Sequence, residues 1–165
     1  MRSFSNLWFW IALAVMWSTA SHFVLGVPFD MVARARRAPE GSSEAEEATS
    51  DLQDIVRVYV NRLLYIERIA GLWMLGLGSF AMTSLALIGF LYGVEFAQAI
   101  FLLGFPMSLV FMLSVRTARK IHEADGAGLY DKLTNHRRYV QFIGIVSIFV
   151  TTMWGMWQNM VVGPI

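Results

Sequence analysis

IAGLWMLGLGSFAMTSLALIGFLY, residues 69–92, carries no charged side chain. A helix needs about 20 apolar residues to cross a hydrocarbon layer of about 30 Å, and this run is long enough. Bilayer lipid offers no partner for a bare backbone N–H or C=O, so a crossing segment of this kind must be helical. Three other runs pass the same test: residues 7–27, 96–115 and 139–160. The runs at 69–92 and 96–115 are separated only by Gly93, Val94 and Glu95, which predicts a tight helical hairpin.

Composition agrees with lipid as the solvent. The 165 residues are 56% hydrophobic and only 15% charged, against about one quarter charged in soluble domains. The net charge of +1 gives no electrostatic footprint for nucleic acid. There is no cysteine, which excludes disulfides, thiolate catalysis and cysteine-ligated metal centres within the chain. The predicted fold is therefore all-α. It is a single polytopic membrane domain over residues 1–165, with four transmembrane helices. The first run exceeds a signal-peptide core in length and lacks a clean small-x-small cleavage site, so it reads as a retained span.

Orientation follows from the basic residues. All of the 13 Lys and Arg except Arg2 fall in two segments, 28–68 and 116–138. Four spans put both segments on one side, and Lys and Arg are enriched on the cytoplasmic side. The expectation is a multi-pass protein of the cell inner membrane with both termini outside the cytoplasm. Trp8, Trp10, Tyr92, Trp154 and Trp157 then sit near the outer interface, as lipid-anchoring aromatics do.

Within the first cytoplasmic segment, Phe29, Met31 and Val32 adjoin Arg34, Arg36 and Arg37. This reads as topogenic charge or as a short interfacial helix. Residues 38–49, with Pro39, Gly41 and four glutamates, read as a flexible acidic linker. Ser50 and Gln53 then fit a capping box. Leu52, Ile55, Val56, Tyr59 and Leu63 recur at helical spacing. The spacing predicts an amphipathic cytoplasmic helix that runs on into the second span. Its apolar stripe needs a cover, and these five residues are the candidate partner-binding surface. The third helix is predicted to reach about Glu123. Asp125, Gly126 and Gly128 break the chain there, and residues 129–138 return as the nearest internal candidate to pack on the stripe.

Candidate chemistry is sparse. His22 is the one histidine within an apolar run, on a face with Ala14, Ser18 and Gly26 suited to close helix packing. Haem ligation would need a second ligand at the same depth, and no other span holds a histidine. Glu95 reads as a helix-start charge, Pro106 as a kink, and Gly89 with Gly93 as a GxxxG that admits a neighbouring helix. There is no phosphate loop, HExxH or nucleophile elbow. The expectation is a protein with no cofactor and no catalysis. It would anchor or support a partner complex; the alternative is a small subunit of a transporter or energy-transducing complex in which Pro106 and His22 work.

Met1-Arg2-Ser3-Phe4-Ser5-Asn6-Leu7-Trp8, with Ala20-Ser21-His22-Phe23-Val24-Leu25-Gly26-Val27-Pro28-Phe29-Asp30-Met31-Val32, resembles a small bacterial membrane family often labelled as a component of the SufBCD iron–sulfur assembly complex. The likeness covers the first forty residues. It implies the SufBCD scaffold as a partner and brings no catalytic motif with it.

Overall fold

The computed structural model describes residues 3–39 and 41–161. Helix α1 spans Leu7–His22, and a two-residue-by-two-residue hairpin follows, β1 (Phe23–Val24) and β2 (Val27–Pro28). Helix α2 spans Phe29–Arg37. Helix α3 spans Ser43–Ala86 and continues through one π turn, Leu87–Leu91. Helix α4 spans Glu95–Glu123 and α5 spans Leu129–Val161. The architecture is all-α. Three helices, those carrying residues 43–91, 95–123 and 129–161, are long and apolar enough to cross a membrane.

The first apolar run does not form one long helix. Helix α1 has 16 residues, about 24 Å at 1.5 Å per residue, and stops at His22. Leu25 (φ 54°) and Gly26 (φ 86°) turn the chain, and Val24 pairs with Val27. Two consecutive positive φ values make the tight turn that a right-twisted hairpin prefers. Hydropathy alone cannot distinguish this hairpin from a helix, because Phe23, Val24 and Val27 are apolar in either case. Val24 and Val27 are buried, so the hairpin is packed against the helices.

The predicted linker also differs. Helix α3 begins at Ser43, so most of residues 38–49 are helical, and Ser50 and Gln53 lie inside the helix rather than at its start. The cap is Ser42: its Oγ accepts from the Ala45 backbone N–H at 3.1 Å and donates to the Pro39 carbonyl at 2.8 Å. Glu44 and Glu46 stand in the first turn, where the helix dipole favours carboxylates. The acidic run is therefore a helix start.

From Ser43 to Leu91 the helix is 49 residues, about 73 Å long. Its first half, with α2, the end of α4 and the start of α5, encloses a core of its own. Val32 and Ala35 of α2 meet Leu52, Val56 and Val60 of α3, Ala118 and Ile121 of α4, and Leu129 and Leu133 of α5. This four-helix knob stands on the side of the two basic segments. The α4–α5 turn uses positive φ at Asp125, Gly126 and Gly128. Lys132 Nζ donates to the carbonyls of Lys120 and Ala127 at 3.0 and 2.8 Å, satisfying acceptors that a helix end leaves bare.

In the apolar half, α5 is the hub. Its buried residues Val140, Gly144, Ser147, Thr151 and Gly155 recur at three- and four-residue intervals, the spacing of one helix face. Trp17 of α1 lies over Gly144 and Trp10 over Gly155, with a Cβ at either position meeting an indole ring at 2.8 and 3.2 Å. Helix α1 therefore runs antiparallel to α5. Phe4, ahead of α1, is buried beside Phe9 and Gly155.

Candidate functional site

The five stripe residues do not form one free surface. Leu52 and Val56 are 0% and 3% exposed and belong to the knob core. Ile55 and Leu63 are partly buried against it. Tyr59 is 38% exposed, with its ring laid on Gly26 of the hairpin. The role of Leu52 and Val56 as partner contacts is thus corrected: α2, α4 and α5 already cover them. The physical reason is that α2, the end of α4 and the start of α5 each turn apolar side chains onto α3. Residues 129–138 do pack on the stripe, through Leu129 and Leu133.

The charged groups of the knob lie on its outside. Arg57 pairs with Asp54 at 2.9 Å on the surface. Arg119 of α4 pairs with Glu67 of α3 where the knob meets the apolar half. Arg137 stacks over the Phe29 ring at 3.8 Å and ties α5 to α2. A groove of about 570 Å³ runs between α3 and the α4–α5 turn, rimmed by Gln53, Asp54, Arg57, Asn61, His122 and Asp125.

His22 is exposed at the end of α1, its Nδ1 3.0 Å from the Ser18 carbonyl. Ala14 and Ser18 are exposed as well. The face expected to pack closely is therefore the open one, and α1 seats Phe9, Leu13 and Trp17 instead. The large aromatic side supplies more contact area, and the glycines that accept it are on α5. Gly26, the fourth residue of the expected face, lies outside the helix.

Two buried polar residues were missed from sequence. His136 is 3% exposed, with Nδ1 3.1 Å from Thr117 Oγ1 across α4 and α5. It lies ahead of the apolar run that begins at Tyr139, and burial pushes its imidazole down to about 4. It is held neutral at ordinary pH. Gln98 is 2% exposed near the start of α4. Its Nε2 donates to the Gly89 carbonyl at 2.8 Å. Its Oε1 accepts from Trp154 Nε1 at 3.0 Å and Gln158 Nε2 at 3.1 Å. One amide thus joins the π turn, α4 and α5. Gly89 is required there, because a Cβ would stand 2.9 Å from the Gln98 backbone nitrogen. This is the close approach predicted for the GxxxG, with α4 as the neighbour; Gly93 instead supplies a positive φ of 71° in the turn. The signal in the sequence was Gln98 itself, a lone amide among apolar residues, opposite Trp154 and Gln158 at helical spacing.

Among the described residues, no group of three or more His, Asp or Glu side chains could hold a metal ion. Pro106 is buried within α4 and lines a shallow apolar groove with Phe101, Phe105 and Phe142. The buried polar groups Gln98 and His136 are cross-ties between helices, whereas His22 bonds only within α1. A search against protein-family models, curated proteins and solved structures finds no match to this chain.

Proposed function

We propose that this chain is a non-catalytic integral membrane protein that anchors or supports a partner complex on the cytoplasmic side. The observation that carries the reading is the knob. A helix of 49 residues is far longer than a crossing requires, and its surplus is built into a self-packed domain with a closed core. Such a domain is a rigid platform. Its groove beside the α4–α5 turn, with Asp54, Arg57, Asn61 and Asp125 at the rim, replaces the buried stripe as the docking face. The SufBCD scaffold is the partner that the resemblance of the first forty residues implies.

The proposal includes four crossings of the inner membrane with both termini outside. Helix α1 is short, but it lies antiparallel along residues 144–155 of α5. A segment seated at that depth is flanked by the Phe4 segment on one side and the hairpin on the other, and these extend its reach. Reporter fusions after Ala38 and Gly126 are expected to read cytoplasmic, and fusions after Gly93 and Ile165 outside. A cytoplasmic reading at Ile165 overturns this topology.

The partner is tested by flotation of proteoliposomes with purified SufBCD. The wild-type chain should carry the scaffold upward, and Asn61→Trp, which fills the groove from an exposed position, should not. Flotation absent with the wild-type chain defeats the SufBCD assignment; flotation equal for both chains defeats this groove as the docking face.

A second reading, a small subunit within a larger membrane complex, is favoured by the apolar half of α3. Only 6% of its most apolar window is buried, and Leu72, Trp73 and Phe80 are open to the surroundings. Intramembrane cross-linking from position 73 in native membranes separates lipid from a neighbouring protein helix.

A further inference from the structure

A second cavity, of about 400 Å³, lies where the knob meets the apolar half. Helix α1, the three long helices and the hairpin all reach it. Its walls change character along the helix axes. Met107 and Val110 of α4, with Ala20 of α1, line the deeper part. Tyr59 and Arg62 of α3, His136 of α5 and Leu25 of the hairpin line the part nearer the knob. On α4, Met107 and Ser114, both lining residues, are seven positions apart, about 10 Å. The cavity therefore runs along the bilayer normal, apolar at depth and polar at the level where headgroups lie.

Its charge is one-sided. Arg62 is the cation on the lining, and no carboxylate is among the lining residues. Asp54 and Glu67, the acidic residues of α3 that pair in this region, are taken by Arg57 and Arg119. Among the described residues, no ion pair is made by Arg62. Ser114 Oγ is committed to the Val110 carbonyl at 2.8 Å, and His136 Nδ1 to Thr117. That leaves the Arg62 guanidinium, the Tyr59 hydroxyl and the second ring nitrogen of His136 to meet a ligand.

From this juxtaposition we infer that the cavity is a binding site for one anionic phospholipid of the inner leaflet. One acyl chain lies along Ala20, Met107 and Val110, and the phosphate meets Arg62. The volume falls in the small-ligand range of about 300–1,000 Å³. Basic pockets between membrane helices on the cytoplasmic side recognise such headgroups, and a guanidinium suits phosphate through paired N–H donors. The site does not depend on any protein partner and is distinct from the groove at the α4–α5 turn.

The test is native mass spectrometry of the full chain, purified in detergent and titrated with phosphatidylglycerol or with phosphatidylcholine of the same acyl chains. The wild-type chain should retain one phosphatidylglycerol and bind phosphatidylcholine about fivefold to tenfold more weakly. Arg62→Gln, at an exposed position, should erase that preference while the chain still binds lipid. Val110→Trp, which fills the deep end, should lose both lipids. Glycerol phosphate without chains should not compete, which distinguishes a lipid from a free phosphate. Equal retention of both lipids by the wild-type chain overturns the headgroup assignment. Undiminished phosphatidylglycerol on Arg62→Gln does the same, independently of whether Val110→Trp folds.

Discussion

Replacing Gln98 by Leu keeps nearly the same volume and removes one amide from the centre of a buried network. The structure gives three bonds to that amide: one donated to Gly89, and one accepted from each of Trp154 and Gln158. A side-chain hydrogen bond between membrane helices averages about 0.6 kcal/mol and reaches about 1.7. Three of them amount to roughly 2–5 kcal/mol. The lower figure is more apt, because Gln158 is only partly buried and can turn to water or a headgroup. The Gly89 carbonyl and the Trp154 indole have less recourse, since both face α4. Gln98→Leu is therefore expected to lower the unfolding free energy by about 2 kcal/mol. The assay is reversible unfolding in bicelles, with Trp154 as the fluorescent reporter. Gln98→Glu should cost more than Gln98→Leu, because a carboxylate cannot donate to Gly89 and adds a buried charge. A Gln98→Leu protein as stable as wild type would refute the claim that this amide fastens the π turn to α5.

Four further outcomes are expected. Leu52→Ala, at a 0% exposed position, should destabilise the knob by about 2–5 kcal/mol. It should raise amide exchange over residues 43–68 while membrane insertion is unchanged; unaltered exchange would mean that the knob core is not closed. Gly144→Ala should cost about 1–3 kcal/mol by pushing Trp17 out of its seat. Gly76→Ala, with nothing within 4 Å, should be neutral or slightly stabilising in the same unfolding assay. His136 gives a pH dependence. Its folded value of about 4 lies below the ordinary 6.5, so the unfolded chain binds the proton first. Stability is full above pH 6.5, falls as pH drops from 6.5 to 4, and levels off below that. Between pH 7.5 and 4.5 the loss is about 2–3 kcal/mol, and His136→Gln should remove it from denaturant titrations run at those two pH values.

Much of the architecture was legible because hydropathy and helical spacing act over long windows. The apolar stretches at 69–92, 96–115 and 139–160 lie within the three long helices, and the α4 extension to Glu123 and the break at Asp125–Gly128 were read from local residues alone. Short elements were less legible. Phe23 to Val27 is as apolar as a helix end, and only the Leu25-Gly26 pair ahead of Pro28 marks a turn. Ser42 and Ser50 are both residue types that cap helices, and Ala48, between them, is buried in the knob core, on the helical side of the Ser42 cap. The stripe at Leu52 and Val56 was found correctly as apolar and residues 129–138 were named as an internal cover, but the share of α2 and α4 was not read. Periodicity shows that a face is buried, never by what. Gln98 and His136 were missed for a related reason: the bonds that give each its role come from residues 9 to 60 positions away.

The seating of α1 on α5 joins the first and last of the described helices. Ser5 Oγ donates to Asn159 Oδ1 at 2.7 Å, a contact across 154 positions, and Trp17 waits for Gly144. During synthesis α1 emerges first and its seat emerges last, an interval of roughly ten seconds at 5–20 residues per second. Until then Phe9, Leu13 and Trp17 have only α4 to meet, through Ala99, Leu103 and Val110. The seat of α1 is thus half built when α4 is made and completed only by α5, so this part of the bundle closes like a clasp and cannot be finished helix by helix in chain order.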